Sequence, residues 1–269
     1  MSEKEILMTT IAIPGAAGRM GMRLIALSRQ YEQLKLVSAT ERAGHAAIGK
    51  DAGAMAGAEP MGVAISAEMA GTPDVVIDFT IPAATRALIT VCRQKKIAMV
   101  IGTTGLQPAD HALIDAAAKE IPILQAPNMS LGVNLMFKVA AEMAKILGDD
   151  YDLEITELHH RFKKDAPSGT AMGIAEAILK ATGKSREALV FDRHGDDCPR
   201  QRGEIGMQSL RVGDEVGKHT VYFGALGERL ELTHTATTRD TFAHGALKAA
   251  LWLARQKPGR YTMADVLGL

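Results

Sequence analysis

The stretch ILMTTIAIPGAAGRMGMRLIAL (6–27) decides the fold. Residues 6–13 form an apolar run of strand length, and Met20, Leu24 and Leu27 then recur at helical spacing. Between them Gly15, Gly18 and Gly21 fill a strand-to-helix turn with GxxGxxG spacing, in place of the commoner GxGxxG. Glycine there lets the backbone bend tightly and approach a pyrophosphate, whose charge is met by the helix N-terminus. Small residues at such a turn also serve close packing alone. The next strand-like run, LKLVSAT (34–40), leads into Glu41, where a carboxylate would meet the ribose hydroxyls of a dinucleotide. Arg42 beside it suits a 2′-phosphate, so the pair is compatible with NADH and NADPH alike. The plainer reading is an exposed Glu-Arg pair in a loop.

Outward from this unit, VVIDFT (75–80), IAMVIGTTG (97–105) and IPILQAP (121–127) read as buried strands. PAATRALITVCRQKK (82–96) reads as a helix with Leu88, Val91 and Cys92 on one face, and PADHALIDAAAKE (108–120) as another. Strands alternating with helices predict βαβ units and a parallel sheet. Ligands of such sheets sit outside the carboxyl ends of the strands. Gly102, Thr103 and Thr104, and the loop APNMS (126–130), are therefore candidates to line one ligand, although each alone is an ordinary turn.

The second half changes period. YDLEITEL (151–158), GEIGMQSLRV (203–212), HTVYFGA (219–225) and ERLELTHTA (228–236) alternate, the last three separated by turn-like GDEVGK and LG. This predicts hairpins and a largely antiparallel sheet in a separate mixed α/β domain. TFAHGALKAALWLARQ (241–256) returns to helix, with Phe242, Ala246, Ala249 and Leu253 on one stripe.

Composition bounds the partners. Lys+Arg and Asp+Glu are both 31 and the pI is near 7.1, against a chain-wide basic surface for nucleic acid or anionic membrane. Two cysteines far apart, Cys92 and Cys198, fit a reducing cytosol better than a disulfide scaffold. The start shows no signal-peptide pattern, and no apolar run approaches a membrane span. The expectation is a soluble, cytoplasmic protein.

The chemistry concentrates in ELHHRFKKDAPSGTAMGIAEAILKA (157–181). Ser168 is a good N-cap, and Ala171, Ile174, Ala175, Ile178 and Leu179 follow at helical spacing up to Thr182-Gly183. Gly169 and Thr170 thus place backbone N–H groups at the positive end of a helix, an anion site. Upstream, His159, His160 and Lys163 offer a proton donor and fixed positive charge. The combination suits a small dianion that is protonated as it reacts. Each piece has a bland alternative: a structural histidine, a solvated basic face, a capped helix with no ligand. Adjacent histidines without HExxH or a cysteine pair give no metal spacing.

ELHHRFKKDAPSGTA resembles the signature of the 4-hydroxy-tetrahydrodipicolinate reductase (dihydrodipicolinate reductase) family, close to E-x-H-H-x-x-K-x-D-A-P-S-G-T-A. GAAGRMG, ERAGH, VVIDFT, VIGTTG, APNMSLGVN, GERLELTH and TFAHGALKAALWL are also similar to the family, in its usual order, over nearly the whole chain. The resemblance implies an α/β fold: a Rossmann-type doubly wound parallel-sheet domain that binds the dinucleotide, from residues 1–130 plus 240–269, and an inserted mixed α/β domain, 131–239, that binds substrate and builds a homotetramer. It implies reduction by NADH or NADPH, without metal, of the cyclic dicarboxylate 4-hydroxy-2,3,4,5-tetrahydrodipicolinate, in the diaminopimelate route to lysine. By motif, His159 becomes the acid/base residue and Lys163 the proton donor, while His160, Gly169 and Thr170 contact carboxylates. Gly15, Ala16, Ala17, Gly18, Arg19, Met20, Glu41, Arg42, Gly102, Thr103, Thr104, Ala126, Pro127, Asn128 and Met129 line the cofactor. Pro14, Pro127 and Met129 depart from the usual pattern, and Pro127 has no N–H to donate. Another nicotinamide-dependent dehydrogenase of amino-acid metabolism would share the first half but not HHRFKKDAPSGTA. A non-catalytic NAD(P)-sensing protein would keep the glycine turn and Glu41 without needing the basic cluster.

Overall fold

The computed structural model describes residues 8–269, so Ile6 and Leu7 of the expected first strand lie outside the described residues; that strand, β1, runs Thr9–Pro14. The chain divides into two units, Met1–Ser130 with Asp240–Leu269, and Leu131–Arg239. After β1 come α1 (Arg19–Ser28), β2 (Leu34–Thr40), α2 (Ala52–Met55), β3 (Ile65–Ser66), β4 (Val75–Asp78), α3 (Pro82–Lys95), β5 (Ala98–Ile101), α4 (Pro108–Ala118) and β6 (Pro122–Gln125). Their ladders are all parallel. β4 and β5 are buried at every residue, as central strands covered on both faces must be. Pro82 starts α3, where a missing N–H costs nothing, and Lys96 ends it in the left-handed region at φ 57°. The buried face of α3 is Thr85, Ile89 and Cys92, one step round from the expected Leu88, Val91 and Cys92. Leu88 and Val91 are half-buried because they face a groove.

The second unit contains α5 (Leu131–Leu147), β7 (Asp152–His159), α6 (Gly169–Thr182), β8 (Leu189–Val190), β9 (Ile205–Arg211), β10 (Gly217–Ala225) and β11 (Glu228–Ala236). Its sheet has the order β11-β10-β7-β9-β8. The LG turn closes a β10–β11 hairpin, as expected. GDEVGK does not, because β7 lies between β9 and β10. β10 is antiparallel to β7 and β11, whereas β9 is parallel to β7 and β8, so the sheet is mixed half and half rather than largely antiparallel. The cause is α6: a strand that leaves through a helix returns beside itself in the same direction. β7 buries alternate residues, and Ile155 packs with Val221, Phe223 and Met207 against Ile174 and Ile178 of α6.

The chain then re-enters the first unit through α7 (Asp240–Leu253), β12 (Gly259–Tyr261) and α8 (Met263–Leu267). β12 pairs with β6 and completes the order β12-β6-β5-β4-β1-β2-β3. A forked ion pair, Arg23 to Asp240 with both bonds at 2.7 Å, fastens the start of α7 to α1. No helix among the described residues is long and apolar enough to cross a membrane.

Candidate active site

In the first unit the glycine turn has the geometry its spacing implied. Gly15 lies at φ 66°, and a Cβ on Gly21 would stand 2.1 Å from the Gly15 carbonyl oxygen, so only glycine lets α1 approach the turn. Glu41 reaches back to this turn, its carboxylate accepting from the Ala17 N–H at 3.3 Å and the Arg42 N–H at 3.0 Å. A groove of about 820 Å3 opens here, with Gly15, Gly18, Glu41, Arg42, Leu88 and Val91 in its lining. An extended anionic ligand with an apolar end fits this combination of open backbone, paired charges and aliphatic wall.

The other expected cofactor residues divide by environment. Arg19 is exposed and Met20 half-buried, whereas Ala16 is buried with its N–H given to the Thr40 carbonyl at 3.0 Å. Residues 102–104 and 126–129 follow β5 and β6 and lie outside the groove lining. Gly102 is buried against the Phe79 ring, which a Cβ would approach to 2.4 Å. The Thr103 hydroxyl is committed to Asp78, leaving Thr104 as the exposed side chain of that loop. Ala126 and Met129 are buried, Pro127 is exposed, and Asn128 accepts from the Ser130 N–H at 2.8 Å. Gly245 of α7 makes room for the loop, since a Cβ there would meet the Met129 carbonyl oxygen at 1.7 Å.

In the second unit β7 delivers the histidines. Period two puts Glu157 and His159 on its helix-facing side and His160 beyond the strand end. The His159 Nδ1 lies 2.5 Å from Glu157 Oε2. The Glu157 side chain is fully buried and is gripped by both Arg211 Nη atoms at 2.8 Å. Its Oε1 also accepts from the Ser168 N–H at 3.2 Å. Burial alone would raise this carboxyl, but the bonds from Arg211, His159 and Ser209 hold it at about 2.

Ser168 caps α6 as expected, accepting from the Ala171 N–H at 3.1 Å, and its hydroxyl sits 2.9 Å from His219 Nε2. The His219 ring packs edge-on to that of His159, with centroids 5.1 Å apart. Burial, then the charge of His159, push His219 down to about 4 against the opposing charge of Glu157, so it is neutral near pH 7. Burial lowers His159 too, opposed by Glu157. Lys163 is held by both oxygens of Asp165 at 2.8 Å and lies near enough to His159 for its charge to lower that imidazole. His160 Nδ1 is buried without a hydrogen-bond partner, an arrangement that a ligand oxygen would complete. Gly169 and Thr170 open α6, and Lys180 is exposed on the same helix. Among the described residues no group of three or more His, Cys, Asp or Glu is arranged to hold a metal ion.

The residue reading overlooked Glu157, Arg211, His219, Asp165 and Asp78. Glu157 was available, two residues before His159 on an alternating strand. Arg211 and His219 lie 54 and 51 residues from their partners Glu157 and Ser168, and no local spacing announces them.

The chain is similar to known proteins over nearly its whole length. Residues 9–129 match the family model described as dihydrodipicolinate reductase, N-terminus, and residues 132–267 match its C-terminus. Over 266 residues the chain is 50% identical to a 4-hydroxy-tetrahydrodipicolinate reductase of Geotalea uraniireducens (strain Rf4), covering 97% of this chain and 100% of the relative. It is equally 50% identical to one from Anaeromyxobacter sp. (strain Fw109-5), covering 97% and 98%. In fold it is similar to the dipicolinate-bound dihydrodipicolinate reductase from Paenisporosarcina sp. TG-14, with TM-score 0.75, 23% identity and coverage of 96% and 98%. With both halves matched and half of the aligned positions identical to such relatives, the chain belongs to the dihydrodipicolinate reductase family.

Proposed function

We propose that the chain reduces 4-hydroxy-2,3,4,5-tetrahydrodipicolinate to tetrahydrodipicolinate, with loss of water, at the expense of NADH or NADPH, in the diaminopimelate route to lysine. The observation that carries this reading is the cluster in the second unit, where a carboxylate-held imidazole adjoins the N-terminus of α6. That cluster supplies a proton donor and an anion cradle together, as reduction of a cyclic dicarboxylate requires. The curated relatives at 50% identity carry the name of this activity.

Loss of the 4-hydroxyl with a hydrogen of the adjacent ring carbon, as water, turns the substrate into a conjugated ene-imine, and a bound reduced nicotinamide would supply hydride to its electron-poor carbon. In the first unit, the Gly15–Met20 turn and Glu41 would hold the cofactor, with Arg42 serving the 2′-phosphate of NADPH; residues 102–104 and 126–129 complete its contacts. In the second, His160, Gly169 and Thr170 orient the substrate's two carboxylates and so set the attacked carbon in place. As negative charge builds on the ring, a proton is delivered from Lys163 Nζ, with His159 as the acid/base group beside it. No metal is needed in this scheme.

Two unpaired cysteines, Cys92 buried and Cys198 exposed, accord with a reducing cytoplasmic setting. The sheet of the second unit covers one face with α5 and α6 and leaves half-buried Thr156, Leu158 and Tyr222 on the other. We assign that face to self-association as a homotetramer, with no nucleic-acid or membrane partner.

The test is coupled turnover of synthase-generated substrate, followed as loss of NAD(P)H absorbance. Substrate-dependent oxidation is expected with at least one coenzyme. Its absence would leave another dehydrogenase or a coenzyme sensor.

A further inference from the structure

We infer that Glu157, gripped by Arg211, is a positioning residue that fixes His159 as the Nδ1–H tautomer and keeps Nε2 as its exchanging nitrogen. This rests on the acid/base role given to His159 above. Strand alternation sets the two side chains side by side on β7, but the tautomer follows from Arg211. A fully buried carboxylate is tolerated only when its charge is answered. Two parallel bonds from one guanidinium answer it and fix its plane, so Oε2 meets His159 Nδ1 as an ionised acceptor. An ionised carboxylate only accepts, and the hydrogen of the neutral imidazole must therefore sit on Nδ1. Nε2 is left as the nitrogen without a hydrogen. It lies against Gly217, where any Cβ would come within 2.9 Å of it.

The other charged and titratable groups facing His159 are Lys163 from the loop, Arg211 from β9 and His219 from β10. Glu157 is the anion among them and opposes two cations and burial. It also accepts from the N–H of Ser168, the N-cap of α6, so one carboxylate registers the acid/base imidazole against the anion cradle. Mere neutralisation of Arg211 would need neither the His159 contact nor the Ser168 bond.

The experiment is 15N-histidine NMR of the full chain across pH, with His159 assigned through His159→Asn, beside kcat–pH profiles. Wild type is expected to show Nδ1 protonated in neutral His159. In Glu157→Gln the His159 titration should fall by about one pH unit or more, and the matching limb of the kcat profile should move with it. Arg211→Gln, which removes a cation instead, should raise the His159 titration. An Nε2–H tautomer in wild type, or a His159 titration unmoved in both variants, overturns the inference. If Glu157→Gln fails to fold, the sign of the shift in Arg211→Gln decides alone. The NMR readouts need no substrate, so a failed reductase assay with these shifts present would remove the proposed reaction and leave the positioning role.

Discussion

The fully buried Asp78 carboxylate accepts a hydrogen bond from the Thr103 hydroxyl at 3.1 Å. It also accepts from the Thr80 N–H at 2.9 Å and from the Thr80 and Thr85 hydroxyls, each at 2.5 Å. One side chain at the end of β4 thus ties together the β4–α3 loop, the first turn of α3 and the loop after β5. Asp78→Ala is expected to cost about 3 kcal/mol, since several bonds to the carboxylate go at once and the Thr85 and Thr103 hydroxyls stay buried. Urea denaturation measures this. Coenzyme affinity should fall about tenfold, read by fluorescence titration; a stable variant with unchanged affinity would exclude Asp78 from organising the cofactor side.

Gly217→Ala adds one methyl beside His159 Nε2 at 2.9 Å, on a strand whose backbone accepts alanine. The ring must move, and an error near 1 Å in a reacting group costs about a hundredfold in rate. We expect kcat to drop on that scale with KM and melting temperature little changed. Wild-type turnover would show that Nε2 is not the exchanging atom.

Lys163→Ala should lower kcat by about 10² to 10⁴, the usual worth of a general acid, and leave coenzyme binding intact. The comparison needs steady-state kinetics and a coenzyme Kd on the same preparation. Near wild-type turnover would remove Lys163 from proton delivery.

Arg42→Ala should weaken NADPH more than NADH, by about tenfold, because only NADPH offers the 2′-phosphate that a guanidinium grips. Kd values for both coenzymes, measured side by side, decide the matter. Equal losses would discredit the phosphate role.

Stability should rise with pH across the acid range. His219 titrates at about 4 when folded, against about 6.5 for an exposed imidazole, so between those values the unfolded chain binds the extra proton. Glu157 at about 2 has the same sign, its contribution present above about pH 4.5 and lost as pH falls toward 2. The His219 window alone gives a slope of up to about 1.4 kcal/mol per pH unit. Urea melts at intervals from pH 7 to pH 4 would reveal it, and His219→Gln should flatten it.

Much of this protein was written in short-range pattern. β2 occupies residues 34–40 as read, and α6 begins after Ser168 and closes at Gly183 as its cap residues dictate. Gly15, Gly18 and Gly21 announced the tight turn, and His159, Lys163 and the start of α6 lay within one stretch of sequence. Those features depend on neighbours a few residues apart, where dihedral preference, period and capping act. Tertiary structure decided the rest. The half-parallel sheet follows from where the chain returns after α6, which the apolar pattern of β9 does not specify. Thr103 and Ala16 sit in loops like their neighbours, yet one hydroxyl is taken by Asp78 and one N–H by Thr40. The tautomer of His159 required Arg211, 54 residues beyond Glu157 in the chain and 2.8 Å from it in space. Hydrogen bonds and charge act through distance in space, so a long-range pair leaves no mark on local spacing until the chain has folded.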